Sequence, residues 1–160
     1  MTAGGGAGVA VSVVRVEAVV HVPATEVFDH VAAHHFENHP RWDPDVLEMR
    51  QTSPGPVGVG TTASVVRRQG KQRVQGTATV TAYEPVRSAA WQVDFGQFEL
   101  KQDVELVPEE AGAATRLILS IESTAHGPLR FLLPLMRRRF RRTMERSVAA
   151  IAALIESSTR

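Results

Sequence analysis

Along residues 13–22, Val14, Val16, Ala18, Val20 and Val22 alternate with Arg15, Glu17, Val19 and His21, the two-residue period of a β-strand. Val22-Pro23-Ala24-Thr25-Glu26 then sets a proline and an acid at a helix start, with Val27, Phe28 and Val31 on one face, so a short helix is expected to about Ala33. Residues 34–45, dense in His and Pro, read as a second helical turn running into a loop. Alternation returns with Leu47, Met49 and Gln51, and the Pro/Gly cluster at 53–58 ends it. Residues 61–68 and 73–83 flank a Gln69-Gly70-Lys71 turn as a hairpin, and Glu84-Pro85 leads into 87–95. After Gly96 the pattern is cleanest, with Phe98, Leu100, Val104 and Leu106 facing one way and Glu99, Lys101, Asp103 and Glu105 the other. A turn at 108–113 and a last strand at 115–123 follow, with Leu117, Leu119 and Ile121 inward.

From Pro128 to Ile155 the period lengthens to that of a helix. Leu132, Met136, Phe140, Met144, Val148, Ile151, Leu154 and Ile155 share one side, and Arg138, Arg141, Arg142 and Glu145 lie opposite. Either Pro128 opens a helix that kinks near Pro134, or a short segment leads into a helix carrying Pro134 in its first turn, where a missing N–H costs little; the second is favoured. The order is therefore one strand, two short helices, six strands and a long helix. That predicts an α+β fold, a twisted seven-stranded antiparallel sheet wrapped around the C-terminal helix, with a cavity between the layers.

Composition narrows the function classes. A chain of 160 residues with net charge +1 fits one domain, expected over 12–157 behind a Gly/Ala-rich tail at 1–11 that carries no signal-peptide pattern. No apolar run reaches the length of a membrane span, and the charge balance gives no nucleic-acid footprint. The absence of cysteine removes disulfides and thiolate chemistry and accords with a cytoplasmic setting. The expected state is a monomer or homodimer.

Four local motifs carry a family likeness: Val22-Pro23-Ala24-Thr25-Glu26-Val27-Phe28, Asn38-His39-Pro40-Arg41-Trp42-Asp43-Pro44, Gly58-Val59-Gly60-Thr61 and Glu84-Pro85-Val86-Arg87. In this order and spacing the chain from about Ser12 onward resembles the polyketide cyclase/dehydrase family of the START-like, Bet v 1-like (SRPBCC) helix-grip superfamily. The resemblance implies the helix-grip fold and a small hydrophobic ligand, lipid- or polyketide-like. It implies no particular reaction, because enzymes, carriers and regulatory binders share the fold.

The expected cavity wall comprises Met49, Trp91, Val93, Phe98, Leu119, Phe131 and Leu135, with Trp42 at the rim and Gln102 as a polar handle breaking an apolar face. Phe131 to Met136, around Pro134, is expected to border the cavity and gate it. His34, His35 and His39 invite a metal reading, since His35 and His39 share a face if helical, but no His-Glu-x-x-His spacing or third ligand is fixed; no metal or other cofactor is expected, and a polar loop is the plainer account. Arg67, Arg68, Lys71 and Arg73 around the hairpin turn, and Tyr83, are expected in solvent. The arginines between Arg137 and Arg146 are read as the charged outer face of an amphipathic helix, with weak contact to a membrane surface as the alternative. Ligand binding leads; a cyclase or aromatase that folds a polyketide-like chain, and an interaction module with a filled interior, are the alternatives.

Overall fold

The computed structural model describes residues 8–159. Strand β1 (Val9–Val20) leads through α1 (Ala24–Phe28), a π-helical turn (Asp29–Ala33) and α2 (His35–Trp42) into β2 (Val46–Gln51). The meander β3 (Thr62–Gln69), β4 (Gln72–Glu84), β5 (Ser88–Asp94), β6 (Phe98–Glu109) and β7 (Ala114–His126) follows, and a 3₁₀ turn (Gly127–Leu132) enters α3 (Leu133–Ser158). The seven strands form one antiparallel sheet in the order β1-β7-β6-β5-β4-β3-β2. α1 and α2 thus connect its two edge strands, and α3 covers its inner face, packing on β1, β7 and α2. This is the α+β arrangement the alternation predicts, and the helix-grip fold the resemblance implies.

Alternation decides which side chains reach the core. In β6, Phe98, Leu100, Val104 and Leu106 are buried, and in β7 Leu117, Leu119 and Ala125 join them. From α3 the buried set is Leu133, Met144, Val148, Ile151 and Ile155, at helical spacing. Pro134 sits in the first turn of α3, so the short lead-in segment is the form adopted and the helix needs no kink. Two hydrogen bonds tie α3 to its neighbours. The His21 amide donates to Glu156 Oε1 at 2.9 Å, and buried Ser147 donates from Oγ to the Trp42 carbonyl at 3.2 Å, linking α3 to α2.

Three expectations change. β1 begins at Val9, so Val9–Val11 belong to the sheet with Gly8 just before it; residues 1–7 of the expected tail lie outside the described residues. The His/Pro-rich segment is a helix through Pro40 rather than a turn and loop, because Phe36 and Trp42 are buried and anchor both ends of α2. Arg67 is withdrawn from solvent, its side chain 15% exposed.

Candidate functional site

Two connected spaces lie between α3 and the sheet. The outer one, about 180 Å³, opens between the β3–β4 hairpin (Arg67, Arg68, Gln69, Gly70, Val74) and the start of α3 (Leu129, Leu132, Met136, Arg139), over Phe95 and Phe98. The inner one, about 40 Å³, continues past Phe140 and Thr143 to Met49, Val93, Leu100, Gln102, Leu119, Ile121 and Trp42. Arg67, Phe95, Phe140 and Thr143 line both, and so form the neck between them. Phe140 stacks on Phe98 with ring centroids 5.9 Å apart and planes 13° from parallel. Phe95 fits there because β4 carries Gly76: a Cβ at that position would lie 2.6 Å from the Phe95 ring.

The inner end is polar, and α2 makes it so. Helical spacing puts His35, His39 and Asp43 in line, with side chains that follow one another into the wall. His35 Nδ1 lies 3.0 Å from the Val31 carbonyl, which can only accept, so that nitrogen carries the hydrogen. His35 Nε2 then accepts from His39 Nδ1 at 2.9 Å, and His39 Nε2 faces Asp43 Oδ2 at 3.6 Å. Asp43 Oδ2 in turn receives Arg67 Nη1 at 3.0 Å, and Asp43 Oδ1 receives the Asp45 amide at 3.0 Å. Arg67 Nη2 reaches Asp45 Oδ2 at 3.9 Å.

Burial shapes the charge along this chain. The His35 ring, 2% exposed and 3.8 Å centroid to centroid from Trp91, is held well below the usual histidine range by desolvation and by His39, against the opposing pull of the Val31 carbonyl. Desolvation pushes the Asp43 carboxyl up, but His39 and Arg67 together outweigh it and hold it well below the usual carboxylate range. The result is a neutral His35, an ionised Asp43 and a fixed direction of hydrogen bonding that leaves His39 Nε2 as the ring nitrogen facing the Asp43 carboxylate. Among the described residues no three His, Asp or Glu side chains are disposed to hold a metal ion; His35 and His39 direct a nitrogen at each other.

Of the expected wall, Trp42, Met49, Val93, Gln102 and Leu119 line the inner space and Phe98 the outer one. Trp91 lies behind the wall, 2% exposed, with its Nε1–H buried and without a hydrogen-bond partner among the described residues. Phe131 and Leu135 are corrections: each is 72% exposed and neither lines the cavity. Phe131 belongs to the 3₁₀ turn, where Leu129 and the half-exposed Leu132 border the mouth, and Leu135 is one residue, about 100° of helix rotation, away from half-buried Met136. Tyr83 lines neither space; it packs edge-on against Phe28 at 5.2 Å.

Beyond the expected wall, the lining includes Asp43 and Thr143, Phe95 and Phe140 from the apolar faces, His39, read above as part of a polar loop, and Arg67, expected in solvent. Parity could have found Arg67, since Ala63, Val65 and Arg67 alternate along β3 and the first two are buried.

Solved structures share the fold. A Thermus thermophilus protein matches with TM-score 0.73 at 15% identity, over 93% of this chain and 100% of the other. A Streptomyces aromatase/cyclase matches with TM-score 0.72 at 13% identity, over 94% and 96%. A norcoclaurine synthase from Thalictrum flavum, crystallised with a transition-state analogue, matches with TM-score 0.70 at 16% identity, over 96% and 99%. No curated protein matches the chain in sequence. The family profile described as polyketide cyclase/dehydrase and lipid transport matches residues 12–156, nearly the whole chain. With the helix-grip architecture around a cavity of that kind, the chain belongs to the polyketide cyclase/dehydrase and lipid transport family.

Proposed function

We propose that this protein binds a small hydrophobic molecule in the space between the sheet and α3, with its polar end toward Gln102 and His39. One observation supports this most: an apolar passage leads from a solvent-open mouth at Leu132 and Met136, past a neck that holds Phe140 and Arg67, to an inner space whose lining includes Gln102, His39 and Asp43. The apolar part would be driven in by desolvation, roughly 25 cal/mol per Å² buried before association costs. The polar end would select ligands bearing an oxygen, since a mismatched group there leaves buried donors and acceptors unpaired. Room in the outer space suits a compact molecule, and a longer one requires Phe140 to swing from the neck.

A second reading, catalysis, draws on the same inner end. His39 lies between His35 and Asp43 beside the cavity, an arrangement able to give or take a proton at Nε2, next to a guanidinium. Cyclase-type chemistry on a carbonyl-bearing chain is the corresponding reaction class.

N-phenylnaphthylamine, an uncharged fluorescent probe, tests the binding reading. Val74→Trp, on the half-buried hairpin wall of the outer space, should weaken its binding at least about tenfold by filling the entrance, with the melting temperature little changed. Equal binding by both proteins would place the probe elsewhere and remove this site from consideration.

A further inference from the structure

We propose that the segment entering α3 is a docking surface for a bilayer carrying anionic phospholipid. Three large apolar side chains stand out from it: Phe131 and Leu135 are each 72% exposed and Leu132 is 51% exposed. Neighbouring large apolar groups left in water mark a contact surface rather than ordinary surface composition. Arg138, Arg139, Arg142 and Arg146 follow Leu135 at three- and four-residue spacings, so they continue its outer row along the helix.

Among the described residues, none of the arginines between Arg137 and Arg146 makes an ion pair. Residues 130–146 carry seven arginines against one glutamate, while the whole chain is only +1, so the remainder is net negative. Such a dipolar distribution would orient the molecule with this end toward an anionic surface. Across the cavity mouth, the tip of the β3–β4 hairpin adds exposed Arg68, Lys71 and Arg73, and Arg68 and Arg139 line the mouth itself.

Apolar tips beside guanidinium groups suit an interface where hydrocarbon and phosphate lie a few ångströms apart. Nucleic acid would use the arginines but offer Leu132 and Leu135 no apolar layer to enter. Arg130 supports the same geometry, its guanidinium carbon 4.5 Å above the Phe131 ring, leaving an aromatic and a charge at one level. The surface stands independently of what the cavity holds. It also adjoins the mouth, so a ligand could pass between bilayer and cavity without crossing open water.

Co-sedimentation with vesicles of phosphatidylcholine alone, or mixed with phosphatidylserine, tests it on the full chain. Binding is expected only to the anionic vesicles and should fall steeply between low and physiological salt. Replacing Arg138, Arg139 and Arg142 together by Ala should lower partitioning about a hundredfold, at roughly fivefold per arginine. Phe131→Ala with Leu135→Ala should lower it about tenfold while leaving salt dependence intact. All these positions are exposed, and unchanged melting temperatures would show that folding is not the cause. Failure to sediment, equal binding to phosphatidylcholine alone, full binding by the triple variant, or displacement from vesicles by an RNA oligonucleotide at lower concentration would each overturn the proposal.

Discussion

Asp43→Asn keeps the size of a side chain on which the whole polar end of the cavity converges, and removes only its charge. The amide oxygen can still accept the Asp45 N–H, now at 3.0 Å from Oδ1. Arg67, 15% exposed, loses its 3.0 Å partner and retains only Asp45 Oδ2 at 3.9 Å. Breaking a buried pair by removing one member costs about 3–5 kcal/mol; the residual partner and partial hydration of Arg67 bring the expected loss to about 2 kcal/mol. The pH dependence gives a second reading of the same contact. Because the folded Asp43 carboxyl titrates well below its unfolded value, the unfolded chain takes up that proton first as pH falls. The contribution is therefore complete above the unfolded value near pH ~4 and lost below it, at about 1.4 kcal/mol per pH unit until the folded group also titrates. Urea unfolding followed by the fluorescence of Trp42 and Trp91, both buried at or behind the inner wall, would measure both effects. The variant should be less stable at neutral pH and lose less stability on acidification than the parent. A loss under about 0.5 kcal/mol together with an unchanged acid limb would refute the placement of Asp43 as an ionised, buried partner of Arg67.

His35→Gln addresses the neighbouring group: with its folded titration held below the unfolded value, His35 favours folding fully above about pH 6.5 and loses that contribution as pH falls, so the variant should flatten the stability profile between about pH 6.5 and 5. An identical profile in the same urea series would show His35 to be hydrated rather than buried. Gln102→Leu should raise stability by about 1 kcal/mol, since no side chain or backbone group among the described residues hydrogen-bonds the half-buried amide, and should weaken a carbonyl-bearing probe about fivefold while sparing a hydrocarbon one. Equal effects on both probes, measured by fluorescence titration, would remove its role as the polar handle. Gly76→Ala drives a methyl against the Phe95 ring and should cost about 1–3 kcal/mol in urea unfolding while changing probe affinity; unaltered affinity would detach Phe95 from the site.

The fold was legible because each strand buries one face, and burial writes itself into the sequence with period two. Phe98, Leu100, Val104 and Leu106 are buried as the alternation requires. The inner half of the site was partly legible for the same reason, since Met49, Val93, Gln102 and Leu119 occupy inward positions on four different strands. Two kinds of residue were not. Arg67 follows the inward parity of Ala63 and Val65, but an arginine beside a turn is ordinarily solvated, and only the buried Asp43 makes its withdrawal favourable. His39 and Asp43 depend on α2 continuing through Pro40, which local propensity disfavours and the buried Phe36 and Trp42 override. Phe131 and Leu135 fail in the opposite sense. Apolar character suggested an inward role, whereas helix phase turns them outward.

Native mass spectrometry of freshly purified protein tests the central claim, a cavity that takes up a small hydrophobic molecule, most directly. The account predicts a species heavier than the polypeptide by one small molecule that is released on denaturation, or a one-to-one adduct once an apolar probe is added, and loss of either in Val74→Trp. A spectrum showing the bare polypeptide alone, with and without probe, would contradict it.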